Sequence, residues 1–561
     1  MALFWLLLLP ALVTAITVIL VVHSAISLGR NYLVARRIGV PVRVIPIDHA
    51  NPLWMAVDRR VLSYVRRLPG FLGDNNFTRY NFRAWEMYDR LRPHREMGDA
   101  FVIVTPARIW FYLASPDALM GCFRRRADFP HCVEMTEMLN VFGKNLSTVE
   151  GQQWKTQRKI IATCFSEQNN EVVWSESLSL ACDMLDYWSR QPSVTTSAED
   201  LRTLTLHVLS GAGFGKFYRF EGHTERSDSS VSASYKSSLQ IILENCVLIL
   251  ALGPSFLSKA RPWLPSTWKL AKLADTCAAF QQYMTDQYEE EKRATLTQER
   301  MGGAKKTLMS SLISASQAEN TGLSESEIYG NMFMLNFAGH DTTAHTFTFA
   351  MYFIAANPDV QDWLSDEIRA VLGDNTTSPP YAISFPRLKR CLAVMLETLR
   401  LYTVVPVSKW VGDKSVPLQI GSGRTIVLPP KTMFIPSYAA IHTDPQFWGP
   451  DSLTWRPSRW IQRGGKPGDE DLVTIERGSF LGWSEGARDC PAKKFSQVEF
   501  VATMAALFRD WRVEPERLNG GRESREEAQK RVLRLIEEDS APVLLLQMLH
   551  PERAPLVWRR R

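Results

Sequence analysis

The chain has 561 residues, 45% hydrophobic and 22% charged, a balance that suits a globular protein with a sizeable core and exceeds the usual length of one domain. Its net charge of +6 is spread along the sequence rather than gathered into the basic patch or stripe of a nucleic-acid binder, and the terminal Trp558-Arg559-Arg560-Arg561 is too short a run to argue from. Eight cysteines, at 122, 132, 164, 182, 246, 277, 391 and 490, include no C-x-x-C pair, which excludes a thioredoxin-like motif, argues against a zinc site or a disulfide scaffold, and leaves most of them as buried small hydrophobes.

Residues 2–27 carry no Asp, Glu, Lys or Arg, and 2–22 is about the length that spans a bilayer as a helix. The segment lacks the basic start and shorter apolar core of a cleavable signal peptide, so 1–28 reads as an uncleaved transmembrane anchor. Pro10 is tolerable in a membrane helix. Arg30, Arg36 and Arg37 follow the span and favour a cytoplasmic location for the rest, which makes the sequons at Asn76, Asn145 and Asn375 chance. Pro41, Pro46 and Pro52 predict a stiff linker over 29–52, ahead of a body at 53–561.

The body is mostly helical in pattern. Short strands are predicted at 100–105, before Pro106, and at 424–428, before Pro429. The Ser-rich stretch 227–238 reads as a loop. The apolar, Pro-containing 250–268 reads equally as a wrap on the core or a surface touching the bilayer. Residues 324–357 form the longest helix candidate, opened by Ser324 and Glu327 at capping-box spacing and stopped by Pro358. It is apolar nearly all round, as a buried helix is, except at His340-Asp341-Thr342-Thr343. Gly339 just before that break lets something approach the backbone closely, although a satisfied polar kink explains it as well.

Four further features have the same double character. Phe480 to Ala492 is a Gly-containing loop ending in Cys490-Pro491, followed by an amphipathic helix over 495–511. A thiolate ahead of a helix is stabilised by its dipole and free N–H groups, but one such cysteine is more often a buried structural thiol. Glu397 and Arg400 share a helix face inside an apolar run, which marks a buried pair rather than the commoner surface pair. Arg459, in Trp455-Arg456-Pro457-Ser458-Arg459-Trp460, is either a second cation for Glu397 or a surface arginine stacked on tryptophan. Trp154 and Arg158 share a face from which an indole N–H and a guanidinium reach a carboxylate ligand, unless they are an ordinary amphipathic edge.

Taken together and in this order, the motifs from Trp154 through Ala492 make the chain resemble the cytochrome P450 family: W-x-x-x-R, [AG]-G-x-[DE]-T-[TS], E-x-x-R, aromatic-x-P-x-R-aromatic, and G-x-R-x-C-x-[GA]. The anchor suits the microsomal branch, and His442 to Gly449 with the long tail looks most like fungal members. The resemblance implies a mainly α fold with small β-sheets, in which haem b lies between the long I helix, here 324–357, and the L helix after the cysteine. Cys490 would be the axial thiolate, and Gly486 would let the loop approach the haem. Trp154, Arg158 and Arg488 would hold propionates, and Trp483, where Phe is usual, would pack by the thiolate. Gly339 would open the oxygen groove, and Asp341 and Thr342 would organise water and deliver protons. Glu397, Arg400 and Arg459 would support the cysteine loop without taking part in the chemistry. Ala492 and Ser458 are departures of little consequence, whereas Lys409-Trp410 stands near where many members place a propionate-binding arginine.

The implied function is a monooxygenase of a lipophilic small molecule, such as a fungal terpenoid or polyketide. It would use O2 and NADPH-cytochrome P450 reductase, on the endoplasmic reticulum membrane as a single-pass protein with a cytosolic catalytic domain. Lys155, Lys159, Lys493 and Lys494 are candidates for docking that reductase. Phe333, Leu335, Asn336, Val404, Val405 and Val407 are the first candidates for the substrate pocket, with 131–139 and 540–544 behind them. A haem-thiolate isomerase, dehydratase or peroxygenase is the rival enzyme, and a membrane-anchored helical binding protein without haem is the non-enzymatic rival.

Overall fold

Helix and strand alternate along the chain as α1 (Ala2–Arg36), β1 (Val42–Val44), β2 (Ala100–Val104), β3 (Ile109–Leu113), α2 (Pro116–Arg124), α3 (Gly151–Ala162), α4 (Glu167–Ser189), α5 (Ser197–Phe214), α6 (Pro265–Met301), α7 (Glu325–Ala356), α8 (Pro358–Leu372) and α9 (Lys389–Leu401). Then come β4 (Lys409–Trp410), β5 (Val416–Ile420), β6 (Arg424–Leu428), β7 (Met433–Pro436), α10 (Lys493–Phe508), β8 (Trp511–Pro515), α11 (Arg525–Glu538), β9 (Ser540–Pro542), β10 (Leu546–Met548) and β11 (Leu556–Arg560), with short helical turns between them. The structure, a computed structural model, describes residues 2–561 except 224–237, 240, 243–244, 246–247, 250–251, 253–264, 302–306, 317–321, 374–378, 406–407, 422 and 519. Nearly all of the predicted loop 227–238, most of 250–268, the Asn375 sequon and Val407 therefore lie outside the described residues.

The chain forms two units. The first, residues 1–132, 406–454 and 475–489, is built on a five-stranded sheet of order β1-β2-β3-β7-β4. β2 and β3 are antiparallel, in register from Ala100 opposite Leu113 to Val104 opposite Ile109, and β1 and β7 add parallel to their outer edges. Their β-branched and aromatic side chains suit a buried pleat: all ten residues of β2 and β3 are buried. The core of this unit joins Val102, Val104, Phe111 and Leu113 to Leu119 and Phe123 of α2, to Ile426 of β6, and to Ala35 of α1.

The last of these differs from the expected boundary. α1 continues past residue 28 to Arg36, and the stretch expected as a linker over 29–52 contributes its final turns and strand β1. Pro41 does not interrupt this, because it stands just before β1, where its carbonyl accepts from Val102 N at 2.9 Å. The Asn31 amide fastens the helix end by donating to Thr105 O at 3.0 Å. Among the described residues, 14–36 is long and apolar enough to cross a membrane, with a mean hydropathy of 1.5, and its side chains from Val18 to Val22 are exposed.

The second unit, residues 133–405, 455–474 and 490–561, is helical. α7 packs on α5 and α11, and α4 packs on α5 and α10. Ser324 and Glu327 form the predicted reciprocal cap of α7, and Asn357 closes the helix before Pro358. α10 ends at Phe508, earlier than the 511 expected, because Trp511 opens β8, which pairs antiparallel with β11 and has Pro515 at its end. Gly330 explains how α7 is crossed so closely: a Cβ there would stand 2.3 Å from Gly143 O.

Candidate active site

In the first unit, the loop before the cysteine is held from below by His442. Its Nε2 accepts from Leu481 N at 2.9 Å, and its ring stacks on Phe480 at 5.3 Å. His442 is fully buried, so this bond fills the acceptor role of a ring nitrogen that water does not reach. The sequence had marked His442 only as a branch feature; its role depends on a contact 39 residues away. Phe480 in turn meets Trp483 edge to face at 6.2 Å. The chain then turns through Gly486–Arg488, where Gly486 has φ +80° and a Cβ would meet Phe123 O at 3.0 Å. Only glycine takes that backbone and that approach without strain. Arg488 is half-buried. Lys409 is buried, with its ammonium 5.3 Å from the Phe123 ring centroid.

In the second unit, Cys490, Pro491 and Ala492 form a turn that leads into α10, so Pro491 stands ahead of the first helical turn rather than within it. Cys490 is half-buried, whereas Cys122, Cys132, Cys164 and Cys391 are fully buried. Burial pushes the Cys122 thiol up to about 12 and Cys164 to about 11, as expected of inert structural thiols. Cys182 is exposed and Cys277 half-buried, which departs from the general expectation of burial, and Cys246 lies outside the described residues. Trp154 and Arg158 share one face of α3, with Trp154 buried and Arg158 half-buried.

α7 shows one exception to its burial. From Ile328 to Ala356 every residue is buried except Met334, Leu335, Ala338, Gly339 and Thr342, which are partly exposed. Their spacing places them on a single face. The polar break divides around this strip. Thr342 Oγ1 donates to Ala338 O at 2.8 Å. Asp341 instead turns toward α5, where Arg202 Nε reaches its Oδ1 at 2.9 Å, and His345 Nε2 lies 3.5 Å from the same oxygen. Burial alone would raise the Asp341 carboxyl, but the His345 hydrogen bond and the charges of His345 and Arg202 outweigh it and hold Asp341 well below the usual carboxylate range. Arg202 was not foreseen, since nothing in the local pattern of α5 singles it out. The position of Gly339's missing Cβ faces Leu209 Cδ2 at 3.1 Å, so its smallness also serves the packing of α5 on α7.

The E-x-x-R pair is fully buried. Arg400 grips Glu397 through Nε and Nη2, both at 2.8 Å. Arg459 Nε donates to Glu397 Oε1 at 2.8 Å, which settles its alternatives in favour of the second cation. Arg456 N and Trp460 Nε1 add donors at 2.9 Å each. These donors leave no lone pair of the buried carboxyl group stranded.

The pocket candidates divide. Phe333 is buried against Phe142 and Phe280, at 5.3 and 6.3 Å, and the Asn336 amide donates back to Met332 O at 2.9 Å, so both are committed to the core of the second unit. Val404 O accepts from Leu546 N at 3.0 Å, which ties the segment after E-x-x-R to the β9–β10 hairpin. Leu335 lies on the partly exposed strip, and Val405 is exposed.

Comparison with known proteins agrees with this layout. The family model for Cytochrome P450 matches residues 93–539. A cytochrome P450 monooxygenase of Arthrobotrys oligospora is 27% identical over 85% of this chain and 86% of its own length. The phomenoic acid biosynthesis cluster cytochrome P450 monooxygenase of Leptosphaeria maculans is 27% identical over 87% of this chain and 89% of its own. Cytochrome P450 monooxygenase 124 of Postia placenta is 30% identical over 82% and 85%, respectively. An enzyme that binds haem through a cysteine thiolate and uses O2 with a redox partner is thereby indicated, and the reading as a binding protein without haem falls away. The chain belongs to the cytochrome P450 family.

Proposed function

We propose that this P450 inserts one oxygen atom of O2 into a lipophilic fungal secondary metabolite, a terpenoid or polyketide, with Cys490 as the thiolate ligand of haem b. The observation that carries the reading is the strip Met334, Leu335, Ala338, Gly339 and Thr342: an apolar, small-residue face with one hydroxyl on an otherwise buried helix. Such a face suits a flat apolar cofactor and an apolar substrate. Taken singly, Trp154 and Arg158 of the second unit and Arg488 and buried Lys409 of the first are N–H donors of the kind a propionate takes, Lys409 standing where arginine is usual in the family. Gly486, which admits no side chain beside Phe123, lets the loop lie flat. Bound haem supplies the oxygen activation, and the thiolate donates electron density to its iron. Thr342 offers a hydroxyl at the strip, and Asp341 beside it is kept ionised by Arg202 and His345, an acceptor rather than a holder of a proton.

The fungal relatives, one named for a biosynthesis cluster, support the substrate class. α1 is proposed as the endoplasmic reticulum anchor, with residues from 53 onward as a cytosolic catalytic domain. NADPH-cytochrome P450 reductase is the proposed partner, docking on the exposed Lys155, Lys159, Lys493 and Lys494. The test has two stages. The full chain should give the red-shifted Soret band of a thiolate-ligated carbon monoxide complex, and Cys490→Ala should remove it; a band that survives would displace Cys490. Product formation from terpenoid or polyketide candidates should then require reductase, NADPH and O2 together. Turnover without them would favour isomerase, dehydratase or peroxide chemistry.

A further inference from the structure

α4 lies along α10 between two aromatic pins. Phe165 meets Phe495 edge to face at 6.1 Å, and Trp558 stacks on Trp188 at 5.2 Å and meets Phe508 at 5.6 Å. Between the pins, both helices carry buried oxygen atoms with no hydrogen-bond partner: Glu499 Oε1 and Oε2 and Thr503 Oγ1 on α10, and Asn170 Oδ1 and Ser177 Oγ on α4. Glu499 and Thr503 are one helical turn apart, and Asn170 and Ser177 two turns, so each set shares a face.

Two facts set this cluster apart from ordinary buried polarity. Helical hydroxyls elsewhere in this unit bond back to the carbonyl four residues earlier: Thr342, Thr346, Thr348, Thr398 and Ser210 all do so at 2.8 to 2.9 Å. Thr503 and Ser177 do not, although a helix offers each the same acceptor. Moreover, among the described residues no cation is paired with Glu499. The elements packed on α10 carry, among other titratable groups, Glu176 and Cys182 on α4, His345 and Asp341 on α7, Glu367 on α8, Arg390, Glu397 and Arg400 on α9, and Arg512 on β8, while Arg190, Arg369 and Arg387 are bonded to Asp186, to Arg509 O and to Asp469. Their arginines are engaged elsewhere, Arg400 with Glu397, Arg390 with Glu470 and Arg512 with Asp362. An ionised carboxylate in that setting carries a desolvation cost that nothing offsets, whereas an acid hydroxyl needs only an acceptor.

We infer that the α4–α10 interface is an internal hydration site in which Glu499 is carried as a neutral carboxylic acid, bridged by buried water to Thr503, Ser177 and Asn170. Burial as the sole cause raising the Glu499 carboxyl well above the usual range accords with this. The linkage sign follows. A group whose pKa is raised on folding contributes stability that is fully present below the ordinary glutamate range and is lost as pH rises toward the folded value.

The test uses the full-length holoenzyme. Glu499→Gln keeps the shape and a neutral hydrogen-bonding group. Its midpoint of thermal loss of the thiolate band should exceed that of the wild type above pH 5, and the gap should widen with pH, up to about tenfold in the folding equilibrium per pH unit. A variant that is less stable at every pH, with a wild-type midpoint that rises when choline chloride is replaced by sodium or potassium chloride, would overturn the inference in favour of a bound cation. Should Glu499→Gln fail to fold, infrared spectroscopy of the wild type decides. A carboxylic-acid C=O band at neutral pH that moves in Thr503→Val is expected, and its absence would equally overturn the proposal.

Discussion

Arg459 Nε lies 2.8 Å from Glu397 Oε1, across 62 residues of chain, in a place where neither side chain meets solvent appreciably. The contact ties the 455–460 segment to α9, so the irregular stretch before the cysteine loop inherits the rigidity of a buried helix. Removing Arg459 leaves Glu397 paired with Arg400 but takes away one charge-assisted hydrogen bond. Arg459→Ala should therefore destabilise the protein by about 1.5–3 kcal/mol and give protein with less thiolate band. Arg459→Lys, which keeps the charge but loses the planar fork, should fall between. Thermal midpoints and haem content read both.

Arg202→Ala should release Asp341. Because Asp341 is held below its ordinary value, its contribution is present above the usual carboxylate range and lost as pH falls toward the folded pKa. The variant should be less stable than the wild type at neutral pH, by about 1–3 kcal/mol, between the values for exposed and buried pairs. The gap should close in acid. A gap that does not narrow as pH falls from 4 to 2 would show that Arg202 acts through packing alone.

His442→Ala removes the acceptor of Leu481 N. A buried N–H left without a partner costs about 1–3 kcal/mol, and the loop carrying Trp483 and Gly486 should loosen. The expected result is faster conversion of the thiolate band to an inactive form, with Leu481 N losing its hydrogen-exchange protection.

Two glycines of α7 should respond in opposite ways. A methyl at Gly330 meets backbone, Gly143 O at 2.3 Å and Lys144 O at 2.6 Å, so Gly330→Ala must displace a loop and should cost about 1–3 kcal/mol or more. A methyl at Gly339 meets only the tip of Leu209, which can turn, and an alanine gains about 1 kcal/mol of helix propensity. Gly339→Ala should be close to neutral in thermal midpoint. A loss of oxygen-dependent turnover without a loss of stability would support Gly339 as part of an oxygen groove.

What the sequence could express was local. Ser324 and Glu327, or Glu397 and Arg400, sit at spacings that a helix converts directly into contact, and both pairs formed. Arg459 was legible only as one of two alternatives, because its partner lies in another segment. Arg202 was not legible at all: it reaches Asp341 across 139 residues, and a single arginine on a helix has no pattern. Trp460 and the Arg456 backbone join Glu397 for the same reason, through packing that spacing does not encode. The 29–52 stretch misled because proline signals resistance to helix without saying that a strand begins beside it.

The continuity of α1 has a mechanical consequence. Ala35, near the end of the same helix whose earlier turns are apolar enough for lipid, is a fully buried member of the first unit's core, and Asn31 is bonded to Thr105. A tether lets its cargo swivel; a mast does not. Because the helix runs unbroken into that core, a tilt of α1 would be handed on as a tilt of the β2–β3 sheet. Were α1 to serve as the proposed anchor, bilayer thickness, which bears on tilt, would become a variable that acts on this unit.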